Sequence, residues 1–330
     1  MNILDWADSK VDRLREDKKF DNDVKKTTSA ARTFLIRLFR FVMIVGLAYV
    51  ILGPLIGLIS SSFFSDADRY NNMVFVIPEH PTVSRYVMSF QTMDYLKTLG
   101  KTLLYVGGIM LINLFVCSMV GYGFARFDFP FKKILFALVI VMIVIPSHTI
   151  MLPLYVTFRQ FDVFGIIAHF RGEPLNFMKT PVPVYVMSLF GCGLRSGLYI
   201  YIFNQFFRGL PKEIEEAALV DGAGMFRTYF QIMLRNAMPS VVTVAIFSFV
   251  WQYNDTFYAR LFQIRSDNLL SIRISTLYST IANTMSPIDP NIVTLYQNAG
   301  IVLVILPVLI VYIFLQKQFI EGVERSGIVG

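Results

Sequence analysis

The sequence predicts an all-α, polytopic membrane protein with six transmembrane helices and one short acidic helix in a cytosolic loop. Three observations predict it. Hydrophobic residues make up 55% of the 330 residues and charged residues only 16%, against about 25% charged in ordinary soluble domains. Six stretches are apolar and almost free of charge, with the roughly 20 residues that a bilayer crossing needs. Lysines and arginines fall preferentially on alternate connecting loops. This composition disfavours a soluble enzyme, a disordered chain and a disulfide scaffold. The formal charge of +7 comes from 30 Lys+Arg against 23 Asp+Glu. No segment concentrates it, so nucleic acid is not an expected partner, whereas a lipid bilayer is.

Residues 1–33 read as a cytosolic N-terminal segment. Eight Lys/Arg are offset there by seven Asp/Glu, and no early apolar run marks a cleavable signal. Leu4, Val11 and Leu14 give the segment a helical spacing. Residues 34–320 form the transmembrane domain, with spans at 41–65, 102–125, 134–158, 180–207, 236–254 and 290–316. Five of these carry no charge, and the fourth carries only Arg195. Pro54, Pro146, Pro153 and Pro307 fall in or near them, which membrane helices tolerate when neighbours satisfy the freed backbone groups. Residues 321–330 are a cytosolic tail.

Orientation follows from the bases. Arg32, Arg37 and Arg40, then Arg126, Lys132 and Lys133, then Arg208, Lys212, Arg227 and Arg235, then Lys317 and Arg325 all lie on one side if both termini are cytosolic. Loops 66–97, 159–179 and 263–298 then face outward. Turn residues Asn71, Asn72, Pro78 and Pro81 predict a capped, irregular segment in the first of them.

Catalytic chemistry is sparse. His80, His148 and His169 stand apart, and no metal-ligand spacing occurs. Gly100-Lys101-Thr102 imitates the end of a phosphate-binding loop, but position 95, where the first glycine belongs, is Tyr95. Cys117 and Cys192 lie in apolar stretches and read as inert buried thiols. No cofactor is expected in this chain.

The loop at about 208–237 is the informative one. Pro211 suits a first helical turn, and Glu213, Glu215 and Glu216 favour the positive end of a helix. Ile214, Ala217 and Ala218 fall on one face, and Gly222 and Gly224 are able to end the helix. Small residues beside acids suit docking in a partner's groove. Pattern alone favours an ordinary solvated loop helix.

Glu216-Ala217-Ala218, three residues, Gly222, nine residues and Ile232-Met233-Leu234 resemble the EAA motif of ABC-importer permeases. Asp221-Gly222-Ala223 is similar to the carbohydrate branch that includes the maltose-permease G subunit. Arg235 departs from the pattern, standing where the family usually has Pro, with Pro239 four residues later. The stretch from Tyr199 to Pro211, the patches at Pro146, Pro153-Leu154-Tyr155 and Trp251 to Asp255, and the tail from Gln316 to Gly330 extend the likeness over nearly the whole chain. The resemblance implies a non-enzymatic permease subunit of the bacterial inner membrane, importing a sugar or oligosaccharide. It implies a second permease subunit, two ATP-binding subunits that hold the ATP, and an extracytoplasmic solute-binding protein. It assigns coupling to the ATPases to Glu215, Glu216, Ala217, Ala218, Asp221, Gly222 and Ala223, and places the tail between ATPase subunits.

For the solute path, Trp251, Tyr253, Asn254 and Asp255 gather rings and hydrogen-bonding groups near the outer half of the fifth span, where polar side chains are costly. Belt anchoring, or Asp255 capping or pairing with Arg260, accounts for the same residues. A membrane-embedded transferase is the alternative reading, and an ion-coupled carrier a third. The first needs a His/Asp/Glu set at one membrane face. The second needs charged pairs at mid-membrane.

Overall fold

The computed structural model describes residues 3–325, with side chains described from 32 to 316. Those residues are helical, apart from turns, loops and one isolated antiparallel bridge between Phe161 and Leu175. The chain forms two bodies. One holds most of the first helix with Phe75–Ile77, and the other holds Ser62–Val74 and the chain from Pro78 onward.

In the first body, helix α1 (Ile3–Ser62) runs 60 residues with no break at residue 33. Its apolar part, Arg32–Ser62, is 31 residues long. Phe34, Phe39, Ile44, Val50 and Ile51 are all exposed, as lipid-facing side chains are where the surrounding solvent is as apolar as they are.

The second body begins with α2 (Asp66–Tyr70) and α3 (Ser84–Thr92). Ser65 caps α2 in a reciprocal box with Asp68. The buried Asp68 carboxylate also accepts the amides of Glu79 and His80, each at 3.2 Å. That organises the loop predicted to be capped and irregular. Buried Arg85 pairs with Asp66 and lies over the Tyr296 ring at 5.4 Å.

Next come α4 (Tyr95–Arg126), α5 (Lys132–Val144), α6 (Met151–Arg159) and α7 (Ile166–Arg171). Then follow α8 (Val182–Leu189), α9 (Ser196–Gly209) and α10 (Glu213–Val220). A bent passage joins α11 (Met225–Arg227), a π-helical stretch Thr228–Met233 and α12 (Leu234–Asn236) to α13 (Met238–Tyr253). Helices α14 (Phe257–Leu261), α15 (Leu270–Thr284) and α16 (Pro290–Arg325) complete the chain.

The six expected spans are not all single helices of spanning length: three are, and up to five spans are counted among the described residues if each bent pair is taken as one. Among the described residues three helices are long and apolar enough to cross a membrane: Arg32–Ser62, Tyr95–Arg126 and Pro290–Gln316. The third predicted span bends by 101° between Lys132–Val144 and Ser147–Arg159. Pro146 causes the break, because the residue before a proline is pushed out of helical geometry; Ile145 is extended, with ψ of 122°. The fourth is two helices, α8 and α9, separated where Gly191 and Arg195 take positive φ. The fifth, predicted over 236–254, is the single helix α13, and a 79° bend at its entrance sets it off from Met225–Asn236. Pro239 stands at the first turn of α13, so a bend enters this span although Arg235 replaces the usual proline.

Helix α4 is the spine, with α9 and α13 packed along it. Gly121 sets the approach of α9: a Cβ there would lie 2.6 Å from the Phe203 Cβ. Asn113 Nδ2 donates to Ser248 Oγ at 3.0 Å between α4 and α13. Tyr253 and Tyr95 donate their hydroxyls to Val304 and Leu303 carbonyls on α16, both at 2.8 Å. Polar contacts of this kind between membrane helices contribute about 0.6 kcal/mol each on average, so close packing carries most of the association. Cys117 is buried as expected, whereas Cys192, in the break between α8 and α9, is exposed.

Candidate functional site

Helix α10 starts after Pro211-Lys212 and has Glu213, Glu215 and Glu216 in its first turn. Negative charge there is favoured by the unpaired amides of the helix start. The helix ends in a Schellman turn. Gly222 N–H donates to the Leu219 carbonyl and Ala223 N–H to the Ala218 carbonyl, each at 3.0 Å. Gly222 holds φ at +78°, which glycine adopts without the Cβ clash of other residues. The glycine of the motif is therefore the stop of the helix.

One face of α10 is tied to the chain. Tyr122, in the last turn of α4, donates its hydroxyl to Glu215 Oε1 at 2.5 Å. Arg126 Nε lies 3.3 Å from Glu215 Oε2, and Arg126 Nη2 donates to the Leu210 carbonyl at 2.8 Å. Ala218 is buried at 3% exposure. Below it the π-helical stretch brings Tyr229 to Ser118 Oγ at 2.6 Å. The Tyr122 ring meets those of Tyr229 and Phe207 with centroids 5.1 and 5.3 Å apart.

The other face is open. Glu216, Ala217, Leu219, Val220, Asp221 and Gly222 are exposed, and Ala223 is half-buried. Val220 is 87% exposed, and Met225 and Phe226 beyond the turn extend the apolar rim. The seven residues of the loop thus divide. Glu215 and Ala218 face the helix bundle, while Glu216, Ala217, Asp221 and Gly222 face away. Sequence reasoning counted Arg126 only as a topology signal and missed Tyr122 and Tyr229, because nothing in the spacing links residue 122 to 215.

The four residues proposed for a solute path also diverge. Trp251 is half-buried, stacks on Phe247 at 5.3 Å, and receives the Arg195 guanidinium over its ring at 4.9 Å. Tyr253 is buried and turned toward α16. Asn254 is exposed and donates to the Val250 carbonyl at 2.9 Å. Asp255 is buried; its Oδ1 accepts the amides of Phe257 and Tyr258 at 3.1 and 3.2 Å, while Oδ2 has no hydrogen-bond partner. Asp255, one residue before the N-cap Thr256, thus accepts the first two amides of α14. Beside it a cleft of about 430 Å³ is lined by His148, Met151, Thr256, Phe257, Arg260 and Leu261.

A loop helix fastened by one face to the ends of membrane helices leaves its other face open to a partner. The chain belongs to the family of binding-protein-dependent transport system inner membrane components, whose pattern it matches over residues 117–325. It is therefore a multi-pass protein of the inner membrane. It is 28% identical over 311 residues to the arabinooligosaccharides transport system permease protein AraQ of Halalkalibacterium halodurans, covering 93% of this chain and 100% of that one. To AraQ of Bacillus subtilis it is 30% identical, over 67% of this chain and 69% of the relative. The fold is similar to a crystal structure of a bacterial ABC transporter that imports the acidic polysaccharide alginate. The TM-score is 0.66 at 17% identity, over 86% of this chain and 96% of that one. A second structure of a bacterial alginate ABC transporter, in complex with its alginate-bound periplasmic protein, has a TM-score of 0.59, with 86% and 93% of the two chains covered.

Proposed function

We propose that this chain is a permease subunit of an ATP-driven importer of a sugar or oligosaccharide, with both termini in the cytosol. A second permease subunit completes the pathway. Two ATP-binding subunits hold the ATP, and an extracytoplasmic protein delivers the solute. The exposed face of α10, with Glu216, Ala217, Asp221 and Gly222, seats in the ATPases, while Glu215 and Ala218 fix the helix to α4 and Ala223 closes its last turn. Movement of the ATPases then reaches α4 and α13 and alternates access to the path. The observation that carries this reading is the division of α10 into a tied face and an open face. The oligosaccharide class is supported by the arabinooligosaccharide and diacetylchitobiose permeases among the relatives. The tail is assigned to the ATPase interface; its residues 326–330 lie outside the described ones.

The test is reconstitution of the full transporter in vesicles with its binding protein and labelled oligosaccharides. Uptake that needs ATP and the binding protein, and that falls in Glu216→Lys without loss of assembly, is expected. Uptake independent of ATP would remove the reading.

A further inference from the structure

Between the ends of α4, α5 and α9 lies a cleft of about 520 Å³, within the roughly 300–1,000 Å³ typical of small-ligand sites. Its walls carry Arg126, Lys132, Lys133, Arg208 and Lys212 against one carboxylate, Asp128, so five positive charges less one negative leave +4. Two of the five are already engaged. Arg126 lies against Glu215, and Lys132 Nζ is 3.1 Å from Asp128. Lys133, Arg208 and Lys212 present their charge with no ion-pair partner among the described residues.

Three further features mark the cleft as a site. Helix α5 starts at Lys132 with no side-chain cap and no acid in its first turn, so its free amides add to the positive potential. Asn204 lines the cleft at 2% exposure; its Nδ2 donates to the Gly121 carbonyl at 3.4 Å, and its Oδ1 has no partner. An unpaired buried acceptor is costly, and a hydroxyl donor reaching it from the cleft would relieve that cost. Phe124 and Phe136, with ring centroids 5.4 Å apart, supply an apolar wall.

We propose that this cleft binds the phosphate ester of an anionic phospholipid headgroup. The phosphate sits among Lys133, Arg208 and Lys212, a headgroup hydroxyl donates to Asn204 Oδ1, and the aromatic wall takes the start of an acyl chain. A basic pocket between helix ends at a membrane surface suits anionic lipid, and a free phosphate would meet the same charges without using the aromatic wall. That the lipid comes from the inner leaflet rests on the proposed orientation.

The test uses the complete transporter in detergent, titrated with phosphatidylglycerol or phosphatidylcholine and read by native mass spectrometry. Selective retention of phosphatidylglycerol is expected. Replacing two attracting charges in Lys133→Gln/Arg208→Gln should weaken it by about 30-fold, and the charge-conserving Lys133→Arg/Arg208→Lys should restore it, which separates charge from misfolding. Equal retention of both lipids, or unchanged retention in the neutral variant, would overturn the proposal. Displacement of the lipid by inorganic phosphate would assign the site to soluble phosphate and overturn the lipid source. Loss of ATPase assembly with lipid retention unchanged would make the cleft a protein contact. Binding in detergent does not depend on sidedness or on transport, so failure of the functional reading shows in uptake and labelling and leaves this result standing.

Discussion

Tyr122 and Glu215, 93 residues apart in sequence, are joined by a hydrogen bond of 2.5 Å from phenol to carboxylate. Bonds to an ionised acceptor are short and strong, and Arg126 one turn further on holds the second carboxylate oxygen. Two adjacent glutamates thereby take opposite parts, Glu215 turned inward and Glu216 turned out.

Tyr122→Phe keeps the ring packing against Phe207 and Tyr229 and removes only the bond. Its loss should weaken docking of α10 by about 1.5–3 kcal/mol, seen as faster amide exchange across 213–220. Glu216→Lys should leave that exchange unchanged and lower solute-stimulated ATP hydrolysis. The reverse pattern would exchange the two assignments.

Gly222→Ala must place a Cβ at positive φ, which costs about 1–2 kcal/mol. The space around it is open, so conformation and not crowding sets the effect. Asparagine, which tolerates this region better, should be milder, and Gly222→Asp should lower coupled hydrolysis with membrane insertion intact. Equal behaviour of the alanine and asparagine variants in thermal unfolding would show that the turn does not set the penalty.

Orientation is checked by impermeant thiol labelling. Glu213→Cys should react only from the cytosolic side and Pro78→Cys only from outside. External labelling at 213 would detach α10 from any cytosolic ATPase.

Asn254→Ala should change uptake kinetics or competition among related sugars while leaving the fold intact, because its side chain bonds only within its own helix turn. Asp255→Ala removes the acceptor of the first two amides of α14 as well as the free Oδ2, so, as with loss of a capping side chain, it should also lower stability by about 1 kcal/mol. Unchanged sugar competition in both variants would assign solute contact chiefly to the partner permease.

Asp68 supplies a pH signature. Burial pushes its carboxyl up, but the amides of Ser65, His80 and Glu79 and the Ser65 hydroxyl together outweigh burial and hold it below the ordinary carboxylate range. With the folded value the lower one, the stabilisation is full above the unfolded value near ~3.9 and is lost as pH falls through the folded value. Protection of the Glu79 and His80 amides, corrected for intrinsic exchange, should therefore drop below about pH 4. Asp68→Asn should show weak protection at neutral pH and no acid step.

The helical, membrane-spanning class was legible in composition and charge placement because a bilayer demands long apolar runs. The loop helix was legible because its acids, small residues and Gly222 are local signals. The breaks were only half legible. Pro146 announces a bend but not its 101°, and the interruption before α9 depends on Arg195 taking a positive φ. The partition of Glu215 from Glu216 was out of reach, since it depends on α4 ending beside α10. Likewise Trp251, Tyr253, Asn254 and Asp255 are consecutive or nearly so, yet helix geometry turns Tyr253 to α16 and Trp251 to Arg195.

The elbow at Ala237 makes α13 a lever. Its short arm is the passage from Met225 that leans on α10, and its long arm is the 16 residues to Tyr253. At 1.5 Å per residue that arm is about 24 Å long, so a swing of about 10° at the elbow carries its far end by about 4 Å. A displacement of that order is comparable to the width of a hydroxyl-bearing ring edge. On the proposed coupling, a rotation at the loop would reach the far end of α13 beside Asp255 as a displacement of that size.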